Sequence, residues 1–183
     1  MAPAGDEAAP PTSGIGAFAI VALLVGFAAM VFQTVLIRLG GLALGSANFT
    51  FSVIVAVFVL CIALGSLAVS ALPRIPPSLV YGSLWALVGL LACLYPFVPD
   101  AGYWTHAIRA LFRSVDASFY PYHALVFVGL FAVLALPIAL SGALLPLLFH
   151  QLRRENADLG ATAGRLYAWN TVGSLCGALG GGY

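Results

Sequence analysis

The chain has 183 residues, 62% hydrophobic and only 7% charged, with a mean hydropathy of +1.07 and a net charge of +1. A soluble domain carries about a quarter charged residues, so this composition excludes a water-facing globular surface and makes lipid the solvent for most of the chain. Lys is absent and all 7 basic residues are Arg, too few and too scattered for a nucleic-acid binder that works by neutralising phosphates.

The first stretch, MAPAGDEAAPPTSG (residues 1–14), is rich in Pro and Ala and carries Asp6 and Glu7. It lacks the basic n-region of a secretory signal and is predicted to be a disordered tail, with the first membrane helix acting as an uncleaved targeting signal. A hydrocarbon core of about 30 Å takes roughly 20 apolar residues in a helix. Four segments meet that length and a fifth begins to: residues 15–39, 49–72, 79–97, 122–152 and 165–183. The turn GGLALGSAN separates the first two. Pro73, Pro76 and Pro77 end the second, and Pro96 and Pro99 end the third, because proline cannot continue a helix.

Between the third and fourth spans, AGYWTHAIRALFRSV places Trp104, Ile108, Leu111, Phe112 and Val115 on one side at helical spacing, with Thr105, His106, Arg109 and Arg113 on the other. This predicts a short interfacial amphipathic helix over about residues 103–115, flanked by the aromatic belt residues Tyr103, Trp104, Tyr120 and Tyr122. The expected fold class is therefore all-α: a polytopic membrane domain over residues 15–183. Arg74, Arg153, Arg154 and Arg165 fall on one side of such a bundle and Arg38, Arg109 and Arg113 on the other. The excess of basic loop residues marks the first side, with the N-terminus, as cytoplasmic.

Polar groups within lipid carry the functional signal. Gln33, Arg38 and Asn170 are the candidate intramembrane polar contacts. Arg38, at the end of the first span, reads as an anchor whose guanidinium reaches the headgroups. Gln33 and Asn170 read as hydrogen-bonding groups between helices, with substrate contact as the functional alternative. Pro137 and Pro146 frame Ser141 and Gly142 in the fourth span, as in broken helices that build midplane sites in transporters, although a kinked structural helix is the simpler reading. Gly173, Gly177 and Gly181 recur four apart and define a small-residue face for close helix packing, by a protein partner or by a segment beyond residue 183.

No catalytic or metal constellation is legible. The 6 acidic residues lie outside the spans, and Cys61, Cys93 and Cys176 sit in separate apolar runs with no ligand spacing. His123 and His150 lie at opposite ends of one span, whereas a haem wants facing histidines deep in the bundle. No cofactor is expected.

Three stretches together resemble the membrane domain of bacterial spermidine-synthase-like proteins, including fused transporter-like synthases. FQTVLIRLGGLALGSANFTFSVIVAVFVLCIALGSLAVS (Phe32 to Ser70) is similar to the first two helices, with Arg38, the turn at Leu44 to Ser46 and the A-L-G-S of Ala63 to Ser66. LPIALSGALLPLL (Leu136 to Leu148) is similar to the Pro-rich fourth helix. GRLYAWNTVGSLCGAL (Gly164 to Leu179) looks like the family signature G-R-x-Y-x-x-N-T-x-G-x-x-x-G. Gln33 stands where members often carry an acidic residue. The family's aminopropyltransferase domain, which holds the amine and decarboxylated S-adenosylmethionine, has no counterpart in these residues, so the resemblance implies no catalytic residue here. It implies a non-catalytic membrane module that anchors or scaffolds a catalytic domain in the bacterial inner membrane. An accessory subunit of a respiratory or photosynthetic type of complex, and a small oligomeric transporter of polyamine-like solutes, are the alternatives. The last segment, barely long enough to cross, reads as a truncation point.

Overall fold

The computed structural model describes residues 13–45, 48–72, 75–76, 78–112, 118–152 and 159–183. Among them are six α-helices and no strand: α1 (Ser13–Leu44), α2 (Asn48–Ser70), α3 (Ser78–Leu94), α4 (Ala101–Ala110), α5 (Phe119–Leu152) and α6 (Leu159–Gly182), with a 3₁₀ turn at Tyr95–Phe97. In lipid a backbone must satisfy its own hydrogen bonds, which selects helices for every long apolar run. Four helical segments have the length and apolarity to cross a membrane: Gly16–Leu44, Asn48–Ser70, Ser78–Phe97 and Phe119–Leu152. The fold is an all-α polytopic membrane fold.

Several boundaries differ from the sequence reading for identifiable reasons. The first helix does not stop at Leu39 but runs through Gly40 and Gly41 to Leu44. Glycine weakens a helix by only about 1 kcal/mol, and Gly40 gives room for Ile54 of α2. The helix ends instead at Gly45, whose φ of 97° suits only glycine. The amphipathic helix covers Ala101–Ala110 and so ends before 115, with residues 113–117 outside the described residues. The last helix begins at Leu159, ahead of Arg165. It is 24 residues long but, diluted by Gly, Thr and Asn, it is not among the four most apolar segments. Residues 1–12 and the loop residues Arg74, Arg153 and Arg154 lie outside the described residues.

Neighbouring residues fix the helix directions. Leu23, Phe27 and Val31 of α1 lie against Gly173, Gly177 and Gly181 of α6, so the two helices run parallel and share one depth. Phe49 of α2 meets Phe119 of α5 at 5.3 Å, while Gly65 meets Ala139 and Ser66 meets Gly142, so α2 and α5 are also parallel. Gly40 opposite Ile54, and Phe32 opposite Phe58 at 6.4 Å, make α1 antiparallel to α2. Parallel α1 and α6 need an odd number of crossings between them, which α2, α3 and α5 supply, so α6 crosses the bundle in the same direction as α1.

The glycine face of α6, which the sequence offers to a packing partner, is thus occupied by α1 of the same chain. A methyl group at Gly173 or Gly177 would overlap the backbone carbonyl of Leu23 or Phe27. The core has two tiers. Val57, Phe58, Cys61, Leu134 and Ile138 fill one, and Ala22, Val69, Val80, Leu147, Leu148, Leu152 and Leu166 fill the other. α3 and the outer faces of α1 and α6 present Trp85, Leu24, Leu175 and Leu179 outward, as lipid contact requires.

Replacing Gly173 by Val is expected to lower stability in detergent by about 3 kcal/mol or more, since the overlap is with backbone and not with a mobile side chain. Gly89→Ala, at a helical position with nothing within 4 Å of the added methyl, should be neutral or slightly stabilising. Thermal unfolding of the two variants side by side decides the matter; equal midpoints would refute the close approach of α1 and α6.

Candidate functional site

A cleft of about 830 Å³ lies where α1, α2, α5 and α6 meet. Its floor comes from Gly26, Ala29 and Met30 of α1, and its walls from Ile62, Ser66 and Ser70 of α2, Ser141, Gly142, Pro146 and His150 of α5, and Tyr167, Asn170 and Ser174 of α6. The cleft follows from the packing. α1 and α6 form one tight pair, α2 and α5 another, and the seam between the pairs is left partly unfilled. It extends from the ends of α2 and α5, at Leu72 and His150, inward to Asn170. Asn170 packs on Gly26, which lies 13 residues along α1, or roughly 20 Å at about 1.5 Å per residue.

The α2–α5 wall rests on one hydrogen bond. Pro146 has no N–H, so the carbonyl of Gly142, four residues earlier, loses its helical donor. The Ser66 hydroxyl of α2 donates to that carbonyl at 3.0 Å. Gly142 itself lets the helices come together, because a Cβ there would sit 2.7 Å from the Ile62 Cα and carbonyl oxygen. α5 stays helical through both prolines, with Pro137 fully buried. The α1–α6 wall uses the same device: a Cβ on Gly26 would lie 2.8 Å from Asn170 Oδ1 and 2.9 Å from Ser174 Oγ.

Of the residues singled out by sequence, Asn170 lines the cleft, whereas Gln33 and Arg38 do not. Gln33 is half-buried further along α1. Arg38 is exposed, and its guanidinium donates to the carbonyl of Gly182, at the end of α6. Arg38 therefore ties two helices and is more than a headgroup anchor. His150 lines the cleft, but His123 sits at the other end of α5, its ring centroid 4.5 Å from that of Phe49 and its Nδ1 2.8 Å from the Phe119 carbonyl. About 40 Å of helix separates the two histidines. Sequence reasoning missed Ser66, Ser174 and Gly26. For Ser66 the available signal was Pro146 within a span, which frees the carbonyl four residues earlier and calls for a hydroxyl donor on a neighbouring span.

Among the described residues no Asp, Glu or Arg lines the cleft, and no group of three or more His, Cys, Asp or Glu is placed to hold a metal. The side chains of Ser141, Asn170 and Ser174 have no hydrogen-bond partner among the described residues. No fully buried side-chain polar atom is left unpaired there, so these groups open onto the cleft.

Ser66→Ala is expected to cost about 1 kcal/mol by orphaning the Gly142 carbonyl. In a Pro146→Ala background residue 146 regains its N–H, and the same substitution should then cost close to nothing. A double-mutant cycle of unfolding free energies reads this coupling; equal costs in both backgrounds would show that Ser66 acts by packing alone.

Comparison with protein-family models, with curated proteins and with solved structures finds no match to this chain.

Proposed function

We propose that this chain is the non-catalytic membrane module of a spermidine-synthase-like protein, an anchor and scaffold for a catalytic domain or partner in a bacterial inner membrane. The observation that carries the reading is the convergence of the family-like stretches on one structural unit. The A-L-G-S of α2 meets the S-G-A-L-L-P of α5 through Ser66 and Gly142, and the G-R-x-Y-x-x-N-T-x-G of α6 lies along α1 through Asn170 and Gly173. Stretches that are distant in sequence thus meet as packing partners in one bundle, which supports reading them as one unit. Backbone-to-backbone packing of this kind gives a stiff platform and suits a scaffold.

With the N-terminus on the cytoplasmic side, the cleft opens on the face that would hold a soluble domain. The reading as a polyamine transporter gains no support from the cleft. An ammonium group drawn into it would find no carboxylate among the described lining residues, and an unpaired charge at that depth is expensive. The accessory-subunit reading has one observation in its favour: Trp169, Val172, Leu175 and Leu179 form an exposed apolar stripe on α6 that lipid or a partner helix would cover.

The anchor reading is tested by retention. A soluble aminopropyltransferase domain encoded in or beside the same reading frame is expected to stay on washed vesicles that carry this chain and to wash off vesicles that lack it. Recovery in the soluble fraction from both vesicle types would refute the anchor.

A further inference from the structure

We infer that the cleft between α1, α2, α5 and α6 binds an uncharged polar group, an amide or a hydroxyl, carried on an apolar body. The inference goes beyond the anchor reading and does not rest on it. Ligand sites are concave spaces of about 300–1,000 Å³ with mostly apolar walls and a few convergent polar groups, and this cleft, at about 830 Å³, fits that description. Its inner polar set is Asn170, Ser174 and Ser141, side chains without partners among the described residues, with Tyr167 and His150 also in the lining.

The donor and acceptor chemistry narrows the ligand. A carboxamide presents two N–H donors and an acceptor oxygen, and each hydroxyl presents both roles. Amides and alcohols, which also donate and accept, match this set. A carboxylate or an ammonium would satisfy half of it, and beside Asn170, Ser174 and Ser141 the described lining offers no Asp, Glu, Arg or Lys to pair with it. Met30, Leu145 and Phe149 supply an apolar wall beside the polar groups. Left empty of ligand, the polar groups at this depth have only water as a partner, and unpaired they cost about 1–3 kcal/mol each. The same head chemistry is found in a neutral amphiphile dissolved in the bilayer and in a free solute entering at the ends of α2 and α5.

The test uses the full chain in lipid nanodiscs, with Cys93→Ser and Cys176→Ser to remove the two exposed thiols; Cys61 is fully buried. Ser174→Cys reports on the cleft and Leu175→Cys on the outward face. The uncharged reagent 2-hydroxyethyl methanethiosulfonate should label position 174 at least about tenfold faster, because a thiolate forms only where water reaches it. Octanamide should slow labelling at position 174 about fivefold or more, the worth of roughly one net hydrogen bond, whereas octanoate and octylammonium should not. Acetamide separates the sources: protection by acetamide marks a free solute, and protection by octanamide alone marks a membrane amphiphile. Asn170→Leu should abolish the octanamide effect. A Ser141→Cys reporter repeats the experiment if Ser174→Cys fails to fold. Slow labelling at both serine positions, no protection by either amide, equal protection by the charged probes, or protection that survives Asn170→Leu would each overturn the proposal.

Discussion

The bundle depends on how closely two helix backbones can approach when lipid offers no hydrophobic gain from burying side chains. Helices in a membrane associate through van der Waals contact and polar links, and both grow as the axes draw together. Here the approach is set by glycine on both pairs: Gly26, Gly173 and Gly177 between α1 and α6, and Gly65 and Gly142 between α2 and α5. At each position a single methyl would meet the partner's backbone or a polar side chain on the facing helix. The helices cannot separate by half an ångström and keep the Ser66–Gly142 hydrogen bond at its 3.0 Å length, so close packing and polar linkage hold or fail together.

Two tight pairs do not by themselves make a solid bundle. A small residue that lets one helix approach leaves less volume to fill the space toward a third. Gly26 and Gly142 each do both: they face a close partner and also line the cleft. The Leu147, Leu148 and Leu166 tier packs beside the open end of the seam, and the Phe58 and Cys61 tier packs further along α2 and α5. Along the seam the glycines leave a gap, and the gap is where the unpaired polar groups are found.

The fold class was legible in the sequence because lipid leaves little choice: apolar runs of 20 residues become helices, and the prolines after Leu72 and around Pro96 mark real ends. The amphipathic segment was legible for the same reason, since Trp104 and Arg109 fall on opposite sides of a helix. The Gly40–Gly41 pair was misleading because glycine signals a turn in water but a close contact in a membrane, and only the facing Ile54 distinguishes the two. The cleft was barely legible. Asn170 stood out as a polar residue within a span, but Ser66 and Ser174 are ordinary in membrane helices until their depth and neighbours are known. Which face Gly173 presents, and to which helix, is a tertiary fact that spacing alone does not contain.

The chemistry of the cleft follows from where a membrane protein can keep charge. Arg38 and Arg165 lie toward helix ends, where a guanidinium reaches water or a helix-terminal carbonyl such as that of Gly182. Toward the middle of α6 the polar residues become Asn170, Thr171 and Ser174, neutral groups whose burial is far less expensive than that of an ion. Thr171 spends its hydroxyl on the Tyr167 carbonyl at 2.8 Å, as Thr34 does on Met30 at 2.8 Å. Hydroxyls that bond back to their own helix add nothing to recognition. Asn170 and Ser174 do not bond back, and both face Gly26, the one position on that stretch of α1 with no side chain to shield them. The glycine that draws the helices together is therefore also the residue that leaves their polar groups open to a ligand.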